Sequence, residues 1–336
     1  MDKALDIILY ILSTLLGLAV GSFLNVCIYR IPRGKFWSNS RSYCPRCGAP
    51  IKAYDNIPLV SYIILKGRCR SCHERISPRY PIIESLNMIL WIVNYAVFGM
   101  SYTTLIYDVL ASTMIVVAMV DFDMTEIPDS SIVTIVILGL LSFIPNVGVA
   151  TWQSMLIGAF CVSVPILILS LFGLMGMGDA KLYFALGLLF GWERILVIFL
   201  LSFVIGTVAA LVNLAVIRHR ANGAGAEAES TPESVENTPN NGISGQNANK
   251  TEYLGANIEE ENIDKTEVNT IDIGVTEDSV AEEPNEVEAD EFDRELEQRL
   301  ESGRAIPFGP WIVVAAFITM YCGTAIIDLY MSLLGF

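Results

Sequence analysis

The chain has 336 residues, of which 53% are hydrophobic, and a formal net charge of −15. The apolar residues are gathered in blocks of roughly 17–25, enough to span a bilayer, which excludes an ordinary soluble domain. The acidity is local: residues 221–304 hold 23 acidic against 5 basic residues, a net charge of −18, and the remainder holds 16 basic against 13 acidic, a net charge of +3.

The hydropathy pattern predicts an all-α polytopic membrane protein with about eight spans, near 5–29, 82–100, 103–121, 130–147, 151–174, 180–192, 194–217 and 308–334. The opening "MDKALDIILY" lacks a basic leader and no small-residue cleavage site precedes "NVCIYRIP", so the first span is expected to stay as an anchor. Eleven of the 21 Lys and Arg residues lie from Arg30 to Arg79, whereas the loops near Gly99–Tyr102 and Pro145–Val149 have none. The positive-inside rule then puts residues 30–80 in the cytoplasm. Threading the spans from there puts the 121–129 loop, the 175–180 loop and the acidic segment on that same side.

The expected organisation is a first span over 1–29, a cytoplasmic metal-binding module over 30–81, a membrane core over 82–218, an acidic insertion over 219–304 and a last span over 305–336. In the module, "CPRC" at 44–47 and "CRSC" at 69–72 form a paired Cys-x-x-Cys set. Two residues between thiolates let one turn present both sulfurs, and two such knuckles complete a tetrahedral site that favours zinc. Cys44, Cys47, Cys69 and Cys72 are therefore expected to hold a structural zinc, because four thiolates leave no open position for water. The competing reading, two disulfides, conflicts with a reducing cytoplasm. His73 is a possible substitute ligand or a surface histidine, and Cys27, Cys161 and Cys322 read as small buried hydrophobes.

Two acids stand at span ends. Asp121 closes the third span in "VAMVDFDMTEIPDSS", and Asp179 closes "GMGD" ahead of a new apolar run. Singly, each has a plain structural explanation: emergence into the headgroups for Asp121, and capping of the next helix for Asp179. As a pair on one membrane face, with Gly176 and Gly178 allowing another backbone to come close, they have a chemical one. Two facing carboxylates can share a proton, one acting as base toward water and the other as acid toward a carbonyl oxygen or leaving amine.

The ordered motifs "GSFLNVCIYRIP" (21–32), the paired knuckles, "ISPRYPIIES" (76–85), "VDFDMTEIPD" (120–129), "GMGDAKL" (176–182) and "IPFGPW" (306–311) resemble those of the type IV prepilin peptidases, membrane aspartyl enzymes of the GxGD kind. The resemblance covers nearly the whole chain outside 219–303. It implies an endopeptidase that removes the leader of prepilins or pseudopilins at the cytoplasmic face of a prokaryotic plasma membrane and N-methylates the new terminus with S-adenosylmethionine. It carries the catalytic role onto Asp121 and Asp179, with Asp123 and Asp129 as competitors for the first position. Asp129 is also placed to cap the fourth helix. Lys181 either tunes Asp179 or snorkels to the interface.

The same resemblance implies a methyl-transfer pocket from Gly21, Ser22, Asn25, Arg30, Arg79, Tyr80, Pro81 and Glu84, with Glu84 orienting the amine. The alternative for Glu84 is a buried acid paired with Arg79 or Arg30. Met88 departs from the family, which often has a small residue there, and this weighs against methylation more than against cleavage. The acidic insertion is a further departure. Its composition predicts disorder, with a short helix around Phe292, Leu296 and Leu300 as the exception. Rival readings are a zinc-knuckle membrane scaffold and a proton-coupled transporter. Membrane lipid and the prepilin substrate are the expected partners, nucleic acid is not, and the sequence is silent on oligomeric state.

Overall fold

Long apolar runs with few helix breakers give a helical bundle, and the breakers that are present set its joints. The computed structural model describes residues 3–34, 36, 42–44, 46–143, 151–228 and 307–334, with the backbone alone described at 216–228, 329–331 and 333–334. Its elements are α1 (Lys3–Arg30), α2 (Val60–Ile64), α3 (Arg79–Phe98), α4 (Tyr102–Met124), α5 (Asp129–Leu141), α6 (Trp152–Cys161), α7 (Ser163–Leu171), α8 (Met177–Ala228) and α9 (Gly309–Leu334), with a 3₁₀ turn at Ala53–Asn56.

Six stretches among the described residues are long and apolar enough to cross a membrane: α1, α3, α4, α6 with α7, Met177–Ala215 of α8 and Gly309–Asp328 of α9. The apolar α5 is shorter. Pro165, three residues into α7, lacks an N–H for the Cys161 carbonyl, and the α6–α7 run breaks there at Val162. Gly191 adopts φ 79° and ψ 176° inside α8, which splits that helix where the sequence predicts a join between two spans. The helix continues to Ala228, beyond the expected boundary at 218, and the remainder of the acidic segment, including Phe292, Leu296 and Leu300, lies outside the described residues. So do positions 144–147 of the fourth predicted span.

α4 is the central helix, touching α1, α3, α5 and α9. Its residues from Ile106 to Val117 join the buried side chains of α5, α8 and α9 in the main core, and Ile115, Val116 and Val120 form a second cluster with α1 and α3. Polar bonds lock this centre: Asn94 Nδ2 donates to Asp108 Oδ1 at 2.8 Å, Tyr321 donates to Asn94 Oδ1 at 2.6 Å, and Ser112 donates to Asn87 Oδ1 at 2.8 Å. Inside an apolar bundle such groups need protein partners, so these bonds fix the register of α3, α4 and α9. Asp108 is thus part of a structural network well separated from Asp121 along α4, and Met114, Val116, Val117 and Val120 are buried between them.

One expectation about cysteines fails. Cys27 is buried, but Cys161 is only half-buried and Cys322 is exposed. In a span, lipid replaces water outside, so a small apolar residue gains nothing by facing inward.

Candidate active site

The end of α4 and the start of α8 are brought together by a short loop. Thr125 closes α4 in the left-handed region (φ 55°), its N–H bonded to the Asp121 carbonyl at 2.8 Å, and Pro128 leads into α5 four residues after α4 ends. Between them Ile127 packs on the α8 N-terminus: a Cβ at Gly178 would stand 3.1 Å from the Ile127 Cβ. Glycine at 178 therefore lets the loop carrying the first acid rest against the helix carrying the second.

Asp121 and Asp179 are both buried, 5% and 7% exposed, and Asp179 lies within electrostatic reach of Asp121. The Asp179 carboxylate turns back onto the Gly176 backbone N–H at the start of its helix, as the capping explanation for this residue expects. Asp121 Oδ2 accepts a 2.8 Å bond from the N–H of Gly309, the first residue of α9. A Cβ at Gly309 would fall 2.6 Å from that oxygen, so no larger residue fits there without moving the carboxylate. Gly309 is a site member that sequence reasoning misses. Its signal is the motif "IPFGPW", but nothing local says that position 309 meets position 121.

The competing acids are elsewhere. Asp123 receives a bidentate bond from Arg79, at 2.8 and 2.5 Å, and Asp129 pairs with Lys181 at 2.6 Å on the surface. Of the three aspartates in "DFDMTEIPD", Asp121 alone is buried. Asp129 does not cap α5: Pro128 precedes the helix, no side chain caps it, and Asp129 sits in its first turn, where its charge suits the helix dipole while its carboxylate reaches Lys181.

The residues expected around methyl transfer gather where α1 meets α3. Gly21 lies flat on Glu84, with a hypothetical Cβ 2.8 Å from the Glu84 Cα, and Asn25 Nδ2 donates to the Tyr80 carbonyl at 3.4 Å. Glu84 is buried and accepts from the Leu59 N–H at 2.8 Å and from Ser22. Its expected alternative partner Arg79 is instead committed to Asp123, because α3 presents residues 79 and 84 about 140° apart. Arg30 ends α1 on the same side. Met88 stands opposite Gly17, whose missing side chain makes room for its backbone.

The four cysteines converge. Their sulfurs lie within 4.8 Å of one another, and Cys44 Sγ is 3.9 Å from Cys72 Sγ. A tetrahedron of thiolates around zinc has sulfur–sulfur edges of about 3.8 Å, so the donor set fits that ion. The two knuckles repeat one turn. Gly48 donates to the Cys44 carbonyl at 2.9 Å and His73 to the Cys69 carbonyl at 3.0 Å, with φ of 65° and 60°. His73 thus occupies the corner that Gly48 fills in the first knuckle and stands outside the sulfur cluster. Backbone N–H groups of Cys72 and Ser71 lower the Cys69 thiol to about 7. Beside the knuckles, the Arg70 guanidinium grips Asp55 at 2.6–3.1 Å and holds its carboxyl below the usual range.

Two family models match in the order this geometry requires. Residues 15–98, which carry most of α1, the cysteine module and α3, match the Bacterial Peptidase A24 N-terminal domain, and residues 109–211, which carry Asp121 and Asp179, match the Type IV leader peptidase family. The prepilin leader peptidase/N-methyltransferase of Neisseria gonorrhoeae is 37% identical over 246 residues, covering 63% of this chain and 85% of that protein. The chain belongs to the type IV leader peptidase family. Proteins of the same name from Legionella pneumophila (32% identical, 61% of this chain and 82% of that protein) and Vibrio cholerae (34%, 60% and 85%) agree. No solved structure matches the chain. Within the family frame, the helical spans, the cysteine cluster and the acid-bearing helix ends belong to one bacterial membrane protein.

Proposed function

We propose that this chain is a membrane aspartyl endopeptidase that removes the leader of prepilin-like proteins and N-methylates the exposed terminus, with Asp121 and Asp179 as the catalytic pair. The observation that carries the reading is the burial of these two acids within electrostatic reach of each other, from the last turn of α4 and the first turn of α8. In peptide cleavage one carboxylate takes a proton from water as the oxygen attacks the scissile carbonyl, and the other gives its proton to the carbonyl oxygen. Collapse of the tetrahedral intermediate then returns a proton to the departing amine and breaks the C–N bond. Two carboxylates that share one proton supply both roles.

Burial keeps the pair out of bulk water, while its place at helix ends lets a substrate peptide reach it from the surface. Gly309 and Gly176 each aim a backbone N–H at one carboxylate, which fixes its orientation. Gly176, Gly178, Lys181, Asp123 and Asp129 act as supports. The Lys181–Asp129 and Arg79–Asp123 pairs fasten the loop to α8 and to α3.

Residues 30–81 form the metal-binding module, in which Cys44, Cys47, Cys69 and Cys72 hold a structural zinc. S-adenosylmethionine supplies the methyl group. Gly21, Asn25, Arg30, Arg79, Tyr80 and Glu84 line the site that receives the new amine, with the Glu84 carboxylate placed to orient it. The basic loop from Arg30 to Arg79 supports a cytoplasmic placement of the module and of both acids in the inner membrane. The substrate, a pilin or pseudopilin with an apolar helix, lies in the same bilayer.

The test is mass spectrometry of a prepilin-like substrate incubated with the purified protein and S-adenosylmethionine, run beside Asp121→Asn and Asp179→Asn. Leader loss with one added methyl group by the native protein, and intact substrate with either variant, supports both activities; cleavage that survives both variants removes the pair from the mechanism. Cleavage without methyl addition confines the chain to peptidase work.

A further inference from the structure

The stretch "IPLVSYIIL", residues 57–65, has no charged side chain, and the function above leaves it unused. It contains α2, and most of its large apolar groups point away from the protein: Ile63 is 72% exposed, Ile64 68%, Val60 48% and Ile57 46%. In a segment expected to sit in water such exposure is costly, and a contiguous apolar patch marks a binding surface. The backbone on either side is also held in an unusual state. Leu59, at φ 57° and ψ −46°, is the centre of a tight turn that the Val60 N–H closes on the Pro58 carbonyl at 2.6 Å, and Lys66 has φ 52°; side chains other than glycine's rarely adopt a positive φ. Strain of this kind persists only where the surroundings impose it.

At Leu59 the restraint is visible. Its N–H is the donor to Glu84 Oε2, and Glu84 is the sixth residue of α3. At 1.5 Å per residue that lies roughly 7.5 Å inside the helix. The entry to α2 is therefore tied alongside the second turn of α3, a helix long and apolar enough to span a membrane, and not beyond its end.

The flanks fit the same place. Lys52, Lys66 and Arg68 are exposed on both sides of the apolar stretch. Asp55, the one acid between residues 52 and 70, is neutralised by Arg70. Tyr54 is exposed with Lys52 and Arg70 over its ring, at 5.7 and 5.5 Å. An apolar tip bordered by an aromatic ring and basic side chains is the pattern of an element lying in the interface of an anionic leaflet.

We propose that residues 57–65 lie in the bilayer surface and anchor the cysteine module to lipid. The module is then fixed to the membrane at three points, the end of α1, the start of α3 and α2, instead of hanging from the two helix ends. Glu84, which holds α2 in place, sits under this anchor. The inference rests on α1 and α3 spanning a membrane and is independent of either proposed activity.

The experiment reconstitutes the full chain in phosphatidylethanolamine–phosphatidylglycerol vesicles with and without phospholipid brominated on its acyl chains. Ile63→Trp is compared with Glu74→Trp, on the second knuckle, and the tryptophan emission that each adds to the native protein is read. The expected result is at least about twofold quenching of the Ile63→Trp increment by brominated lipid, with the Glu74→Trp increment unchanged, since an interfacial segment sits about 5–10 Å into the boundary. Equal, unquenched increments overturn the proposal. An Ile63→Trp increment that lipid leaves untouched and that responds only to an apolar pilin-like peptide also overturns it, and assigns the face to substrate. Both side chains are exposed, so neither replacement disturbs the core, and metal content measured on each variant confirms that the module is folded.

Discussion

The cysteine module and the aspartate pair are built on opposite plans. In the module, the sulfurs come from two short turns whose backbone bonds are local, Gly48 to Cys44 and His73 to Cys69, and the turn repeats. The aspartate site draws on residues far apart in the chain: Asp121 from α4, Asp179 from α8 and Gly309 from α9, with no repeat among them. A local design depends on spacing and on what its ligands hold. A long-range design depends on every helix that holds its parts in register, so small changes at distant contacts should act on it strongly.

The largest effect expected on the aspartate side is that of Asp121→Asn or Asp179→Asn, either lowering kcat for leader cleavage by about 1,000-fold or more, read by mass spectrometry. Methyl transfer to a substrate already lacking its leader should persist in both variants, and its loss would merge the two regions into one site. Gly309→Ala comes next. The added methyl displaces Asp121 Oδ2, and cleavage should fall about 100-fold with KM little changed. Gly206→Ala is the control: from α8 its Cβ would press on Phe308 and Trp311 at the start of α9 without meeting a carboxylate, and it should cost less than tenfold, about 1.4 kcal/mol.

For the module, the purified protein should carry one zinc per chain, and Cys72→Ala should lose it, as metal analysis would show. Structural zinc contributes on the order of 10 kcal/mol to small domains, so the variant's module should become protease-sensitive between residues 42 and 75 while the helical content of the spans, followed by circular dichroism, holds. Smaller still is the link between the regions. Arg79→Ala breaks the half-buried bond to Asp123 and should destabilise the protein by about 1 kcal/mol in thermal unfolding. Lys181→Ala, which removes an exposed ion pair, should change cleavage by less than about threefold.

The two plans also explain what the sequence makes legible. The sulfur cluster is legible, because two Cys-x-x-Cys turns at fixed spacing can meet in few other ways. The helix-to-helix joins at Gly191 and Pro128 are legible for a similar reason: glycine and proline act on their own backbone. The partner of Asp129 is not. Its place after a proline suggests a cap, and the structure spends it on Lys181, 52 residues away. The partner of Glu84 is hidden too, since the bond it accepts comes from a main-chain N–H of the module, which carries no side-chain signature.

The sequence by itself determined the helical membrane class, the four-cysteine cluster and the presence of two acids at span ends, since apolar run length, turn spacing and breaker residues act locally. Only the tertiary structure decided which aspartate of "DFDMTEIPD" is buried, that Arg79 belongs to Asp123, and that Gly309 holds Asp121. Those choices depend on the crossing of helices distant in sequence, where the absence of one side chain, at 178 or at 309, sets how closely Ile127 or Asp121 can approach the glycine's backbone.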